Sequence, residues 1–252
     1  MIVIEKLTKR FGRFEAVKDL SLQVRPGEVY GFLGPNGAGK TTTMKVLVGQ
    51  MQPTEGRITV AGIDVCAEPA RARQIIGYIP DRPYLYEKLS AREFLAFVAG
   101  LYGLDAKAEA ARAEELLALF ELKDWAGELI ESYSHGMKQR LTMAAALLHR
   151  PQVLVVDEPM VGLDPRGAVL VKSLFRRFAQ QGGTSFLSTH SMEVAEELCD
   201  RVAILHRGSI VAQGTMQQLR EQVGAAGGHL QELFLRLTGG EDVQGALEAF
   251  RL

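Results

Sequence analysis

The sequence predicts an α/β fold organised around a mostly parallel sheet, with a helical subdomain inserted into it. Three observations carry that expectation. After Pro151, strand-like and helical runs alternate as they do in βαβ units. Between about 84 and 150, helical segments follow one another with no convincing strand between them. Near the start, a glycine-rich turn from Gly34 to Thr42 joins a strand-like run to a helical one.

The elements follow in order. "IVIEKL" and "LSLQV" make a β-rich start, the turn "RPGE" follows, and "VYGFL" at 29–33 is a central strand. From Thr41 to Gly49 the apolar spacing is helical, and "GRITVAG" and "IIGYIP" return to strand before the character changes at Tyr84. The helical stretch supplies "AREFLAFVAGLYG", "KAEAARAEELLALFEL" and a helix that starts near Ser134. Beyond it come a buried strand "QVLVVDEP", a helix through 166–181, a strand "TSFLST", a helix "SMEVAEELCD" and a strand "VAILH". "GAAGG" at 224–228 reads as a flexible joint before the amphipathic "HLQELFLRL". The expected division is therefore one domain over 1–222, interrupted by the helical subdomain at about 84–150, and a short helical extension over 223–252.

Composition narrows the function classes. With 252 residues and 47% hydrophobic content, the chain can bury one large core. Its longest apolar runs fall far short of the roughly 18 residues that a membrane-spanning helix needs. The start, "MIVIEKLTKRFG", has no long apolar region or cleavage site, so the chain is expected to stay in the cytosol. Cys66 and Cys199 lie far apart without metal-ligand spacing, as buried thiols in a reducing compartment do. A net charge of −1 gives no broad attraction to nucleic-acid phosphates, and no nucleic-acid partner is expected.

The chemistry concentrates in four places. "GPNGAGKTT" comprises Gly34, Pro35, Asn36, Gly37, Ala38, Gly39, Lys40, Thr41 and Thr42. It fits the phosphate-loop pattern G-x-x-x-x-G-K-[ST] in the strand–loop–helix setting the pattern requires. Its glycines let backbone N–H groups turn towards phosphate oxygens, and the following helix directs the positive end of its dipole at them. Lys40 is expected to reach the β- and γ-phosphates, and Thr41 to offer a hydroxyl to Mg²⁺. "VLVVDEP" ends a buried strand in Asp157 and Glu158 at the ligand-binding edge of such a sheet. Because side chains alternate along a strand, one carboxylate is expected to serve the Mg²⁺ shell while the other, Glu158, addresses a water as general base. His190 ends "SFLSTH" at the same edge, within reach of a γ-phosphate or the attacking water. Finally, "SYSHGMKQR" opens a helix at Ser134, either as a plain N-cap or as an anion-binding surface.

In this order, the phosphate loop, "YSHGM", "VLVVDEP", "GLD" and the strand ending in His190 resemble the nucleotide-binding subunit of ATP-binding cassette (ABC) transporters over most of residues 2–220. That family's signature is usually Leu-Ser-Gly-Gly-Gln; this chain fits it at Ser134 and Gly136 and departs at Tyr133, His135 and Met137. "YSHGMKQR", with "LCDRVAILHRG" and "LFLRLTGG", is similar to the branch whose ATPases pair with ABC-2-type export permeases. The resemblance implies a P-loop NTPase core with an N-terminal antiparallel β portion, binding ATP and Mg²⁺ and hydrolysing ATP to drive a separate membrane permease. It implies a dimer of two ATPase subunits, most simply a homodimer, in which Ser134 and Gly136 complete the partner's site. Phe11 falls where the family places an aromatic ring on adenine, although a packed strand aromatic has the same pattern. Asp164 of "GLD" falls at the loop that crosses between subunits. Asp81 stands where the family usually has a Gln that meets Mg²⁺ and the water; a carboxylate there can approach a cation but cannot donate. Tyr84 and Tyr86 either help to dock the permease or pack beneath the helical subdomain. The implied location is the inner face of the cell membrane, held there by the permease. The alternatives are a soluble ABC ATPase acting on ribosomes or DNA and a P-loop kinase, and the second leaves "YSHGM" without a role.

Overall fold

The computed structural model describes residues 1–222 and Phe234. The joint at 224–228 and the extension to 252, apart from Phe234, lie outside the described residues.

The chain begins with a long hairpin. β1 (Ile2–Phe11) and β2 (Phe14–Val24) run antiparallel and turn at Gly12 and Arg13, with Gly12 at φ 59. β4 (Glu55–Val60) and β5 (Ile63–Asp64) complete an antiparallel sheet of order β2-β1-β4-β5. Between the hairpin and β4 lie β3 (Val29–Leu33) and α1 (Lys40–Leu47). α2 (Pro69–Ile75) then leads into β6 (Ile76–Ile79). Three helices follow: α3 (Ala91–Leu101), α4 (Ala106–Leu119) and α5 (His135–Leu148). The chain returns to the sheet with β7 (Val153–Asp157), α6 (Pro165–Gln180), β8 (Thr184–Thr189), α7 (Met192–Leu198) and β9 (Arg201–His206). β10 (Ser209–Gly214) and α8 (Met216–Gln222) close the described domain.

The second sheet has the order β10-β9-β3-β8-β7-β6. Its inner pairs are parallel, and only β10 runs antiparallel, at the edge. Every residue of β3, β7 and β8 is buried, because a parallel sheet is covered on both faces and its strands must be apolar on both. Alternation along β7 divides its side chains between two cores. Leu154 and Val156 face α5, α6 and α7, whereas Val153 and Val155 face α1 and the antiparallel sheet.

Local chemistry sets the helix ends. Ser90 and Glu93 form a reciprocal capping box at the start of α3, and Asp105 accepts from two N–H groups of α4. α5 packs on α3, α4 and β6. The expected strand and helix runs are present. α2, β5, β10 and α8 are additional to them. β10 comes from a two-residue hairpin in which Arg207 and Gly208 have φ 47 and 86, the backbone of a tight turn between twisted strands.

Candidate active site

The C-terminal ends of β3, β7 and β8 meet at one edge, where they and α1 enclose a cleft of about 420 Å³. The 34–39 loop leaves β3 with Gly34 N donating to Thr189 O at 3.4 Å. Two glycines there are sterically required. A Cβ on Gly39, at φ 108, would stand 2.5 Å from the Ala16 carbonyl oxygen, and one on Gly34 would stand 2.6 Å from that of Leu205. The loop is thus pressed against β2 and β9, and Pro35, Asn36, Gly37 and Gly39 line the cleft. Ala38 is buried behind them, its carbonyl accepting from Gly208 N at 2.9 Å.

Lys40, the first residue of α1, turns back under the loop and donates to Gly34 O at 2.6 Å and Pro35 O at 3.4 Å. Its ammonium is 3.8 Å from Glu158 Oε1. Burial pushes the Lys40 pKa down, opposed by the charges of Glu158 and Asp157. A phosphate entering the loop offers this buried cation a stronger partner than two carbonyls. Thr42 lies on the cleft wall beside Thr41.

Thr41 Oγ1 donates to Asp157 Oδ2 at 2.9 Å, and the Ser188 hydroxyl donates to Asp157 Oδ1. These are hard oxygen donors on a nearly fully buried carboxylate, the kind of set that holds Mg²⁺ when substrate phosphates and waters supply the remaining ligands. Among the described residues no cluster of three or more His, Cys, Asp or Glu side chains could form a metal cage by itself.

Glu158 leaves the strand by a different route from the one alternation suggests. β7 ends at Asp157, and Glu158 adopts φ 53, so a left-handed residue turns its side chain rather than the next position of a pleat. Its N–H donates to Ser188 O at 3.1 Å. Glu158 Oε1 lies 2.9 Å from His190 Nδ1, so Lys40, Glu158 and His190 share one carboxylate oxygen. Asp81 also lines the cleft, beyond the end of β6.

The aromatic on the cleft wall is Phe14, together with Ala16. Phe11 lies opposite Phe14 in the hairpin register but is not a lining residue; it is half-exposed, with the Lys9 ammonium 5.2 Å from its ring centre. Phe14, Ala16 and Val161 are the lining residues that the sequence reading missed. A phenylalanine on each side of a two-residue turn was the available signal for Phe14. Ser134 and Gly136 do not line the cleft of their own chain. Ser134 caps α5 by accepting from Met137 N at 3.3 Å, and a Cβ on Gly136 would stand 2.8 Å from Gly162 O. Asp164 caps α6, accepting from Gly167 N at 2.7 Å.

A model of the ABC transporter family matches residues 17–161, more than half of the chain, including the phosphate loop and the Asp157–Glu158 edge. The chain belongs to that family. This ABC ATPase is 37% identical to the linearmycin resistance ATP-binding protein LnrL of Bacillus subtilis, over 99% of this chain and 77% of the relative. It is 40% identical to the daunorubicin resistance ATP-binding protein DrrA3 of Streptomyces coeruleorubidus, over 88% of this chain and 71% of the relative. A solved ATP-binding subunit of an ABC transporter superimposes with a TM-score of 0.89 at 34% identity, covering 94% of this chain and 99% of that one. The dimeric cassette MJ0796, solved with ADP and Pi after hydrolysis, gives 0.79 at 25% identity over 86% and 99% of the two chains. The ABC ATPase is therefore the ATP-binding and ATP-hydrolysing subunit of a transporter. Among the described residues no helix is long and apolar enough to cross a membrane.

Proposed function

We propose that this ABC ATPase powers an exporter whose membrane path is a separate ABC-2-type permease, and that it works as a homodimer at the inner face of the cell membrane. The observation that carries the reading is the meeting of Lys40, Glu158 and His190 on one carboxylate oxygen at the end of a phosphate loop. Relatives named for drug resistance and for Nod factor export support the export direction. The functional unit is the domain over 1–222, with the helical subdomain at about 84–150 inserted.

ATP binds with its phosphates against the N–H groups of the 34–39 loop, and Lys40 exchanges its two loop carbonyls for phosphate oxygens. Thr41 and Asp157 would hold Mg²⁺, which when bound would supply positive charge against the charge that develops during phosphoryl transfer. Glu158 orients a water for attack on the γ-phosphate and accepts its proton, while His190 fixes the Glu158 carboxylate and reaches the γ-phosphate. Asp81, which also lines the cleft, acts as an acceptor towards the metal and the water. The adenine packs on the hairpin tip, where Phe14 takes the wall and Phe11 lies opposite. Ser134 and Gly136 complete the partner's site: the Ser134 oxygen accepts from Met137 N, and its O–H is left to donate to the partner's γ-phosphate. The permease docks in an apolar groove of about 420 Å³ behind Asp81, lined by Pro80, Tyr84, Leu85, Val98 and Leu101.

The test is Glu158→Gln. It removes the base and keeps the shape, so turnover falls by at least about 100-fold. ATP affinity remains, and an ATP-loaded dimer accumulates, seen by size-exclusion chromatography. Turnover close to wild type would remove Glu158 from the mechanism. Sedimentation of the wild-type chain with ribosomes, and not with permease-containing membranes, would instead favour the soluble reading.

A further inference from the structure

α5 and the loop that follows Glu158 touch through a histidine and two glycines. A Cβ built on Gly162, at φ 77, would stand 2.3 Å from Cδ2 and 2.9 Å from Nε2 of the His135 ring. The imidazole occupies the space a side chain at 162 would need. One residue further along α5, Gly136 leaves room for the Gly162 carbonyl in the same way, since a Cβ there would stand 2.8 Å from that oxygen. Gly162, although exposed, is therefore in close approach to the first two residues of α5.

The loop in contact with α5 is short and fixed at both ends. At its start, Glu158 N is bound to Ser188 O at 3.1 Å. At its end, the Asp164 carboxylate caps α6. Between them Val161 N donates to Glu158 O at 3.2 Å and Leu163 N to Met160 O at 3.4 Å. Val161, next to Gly162, lines the cleft beside Glu158. A displacement at Gly162 has few soft torsions in which to dissipate before it reaches the carboxylate, and Glu158 already holds an uncommon backbone conformation, φ 53, which its surroundings must maintain.

We propose that His135 is a positioning residue for hydrolysis in its own chain: its ring seats Gly162 and so holds the 158–164 loop with the Glu158 carboxylate aimed into the cleft. It acts by shape: the ring does not line its own chain's cleft. This rests on the reading of Glu158 as the group that addresses the water. The imidazole at 135, where the family signature has glycine, and the side-chain-free position at 162 then form one complementary pair.

A double-mutant cycle on steady-state ATP hydrolysis tests this. His135→Gly removes the ring and lowers kcat by about tenfold, with KM and ATP affinity within about twofold, because ground-state binding is untouched. His135→Phe keeps a flat ring and retains at least about half of the wild-type kcat. Gly162→Ala lowers kcat in the native background through collision with the ring. In the His135→Gly background its further effect shrinks to less than about threefold, since the backbone cost of alanine at φ 77 is common to both backgrounds and cancels in the cycle. Additive effects of the two substitutions, a loss that falls on KM, or a His135→Phe variant as impaired as His135→Gly would each overturn the proposal. If Glu158→Gln retains wild-type turnover, the reading of Glu158 fails whatever the cycle gives; if Glu158→Gln is inactive and the cycle is additive, only the role of His135 fails.

Discussion

At the scale of single residues, the hairpin tip offers two phenylalanines for one base. Phe14 lies on the cleft wall and is 65% exposed, an open apolar face, whereas the Phe11 ring carries the Lys9 ammonium. Stacking on an aromatic side chain is worth about 1–3 kcal/mol per base. Phe14→Ala is therefore expected to weaken ATP binding by about tenfold or more, and Phe11→Ala by about threefold or less. Isothermal titration of the two variants checks the order, and a larger loss for Phe11→Ala would return the stacking role to Phe11. Much of the site is legible in sequence because its parts are linear: the phosphate loop is nine consecutive residues, and Asp157, Glu158 and His190 sit at strand ends that topology brings to one edge. Phe14 was not, because which side of a turn faces a cleft depends on the hairpin's twist and on its packing against the loop. The turn at Glu158 was not either, since a left-handed backbone at a glutamate leaves no mark in composition.

At the scale of elements, α5 connects two regions. Its first residues carry Ser134 and His135, and its C-cap, His149, is buried at the edge of the parallel sheet. His149 Nε2 is 3.1 Å from Ile76 O, and the ring stacks on Tyr102, just beyond α3, with centroids 3.8 Å apart. The other nitrogen, Nδ1, is buried and has no partner among the described residues. With Nε2–H donating to Ile76, the neutral ring satisfies the site, and a proton on Nδ1 would be a charged donor with no acceptor. Burial accordingly holds the His149 pKa below its usual 6.5, against the smaller opposing effect of the Ile76 bond. The unfolded chain takes up a proton at 6.5 and the folded chain only at lower pH. This contribution to stability is complete above that value and is lost as pH falls from it towards the lowered folded pKa. His149→Gln keeps a donor for Ile76 without titrating, so its melting temperature should fall less steeply between about pH 7 and 5 than that of the wild type. Parallel slopes would show that another group sets the acid limit. The strands of the parallel sheet were readable because burial on both faces makes them continuously apolar, and α3 and α4 because of their long helical spacing. β10 escaped because its half-buried, mixed residues take their shape from pairing with β9, and α2 is too short for a period to register.

At the scale of the whole molecule, one segment serves two surfaces. Asp81 borders the cleft of the phosphate loop, and Pro80, Tyr84 and Leu85 border the apolar groove, so the two concavities share one short segment. The segment continues into Glu87, whose carboxylate is 2.5 Å from Lys138 Nζ on α5, and Glu131 N donates to Glu87 O at 3.0 Å. The sequence gives the order of these pieces, but their contact across more than forty residues is a property of the fold. The left-handed backbone at Glu158 has a consequence for the stability of the entire domain. A residue other than glycine held there costs about 1–2 kcal/mol of backbone strain. Comparing Glu158→Gly with Glu158→Ala, both without the carboxylate, isolates that cost: the glycine variant should be the more stable by about 1 kcal/mol, or about 2–4 °C in melting temperature for a chain of this size. Equal melting temperatures would show that the conformation is relaxed. On the backbone term alone glycine is the favoured residue at position 158, so the carboxylate that the proposed hydrolysis requires, with its contacts to Lys40 and His190, is held there against the local preference of the chain.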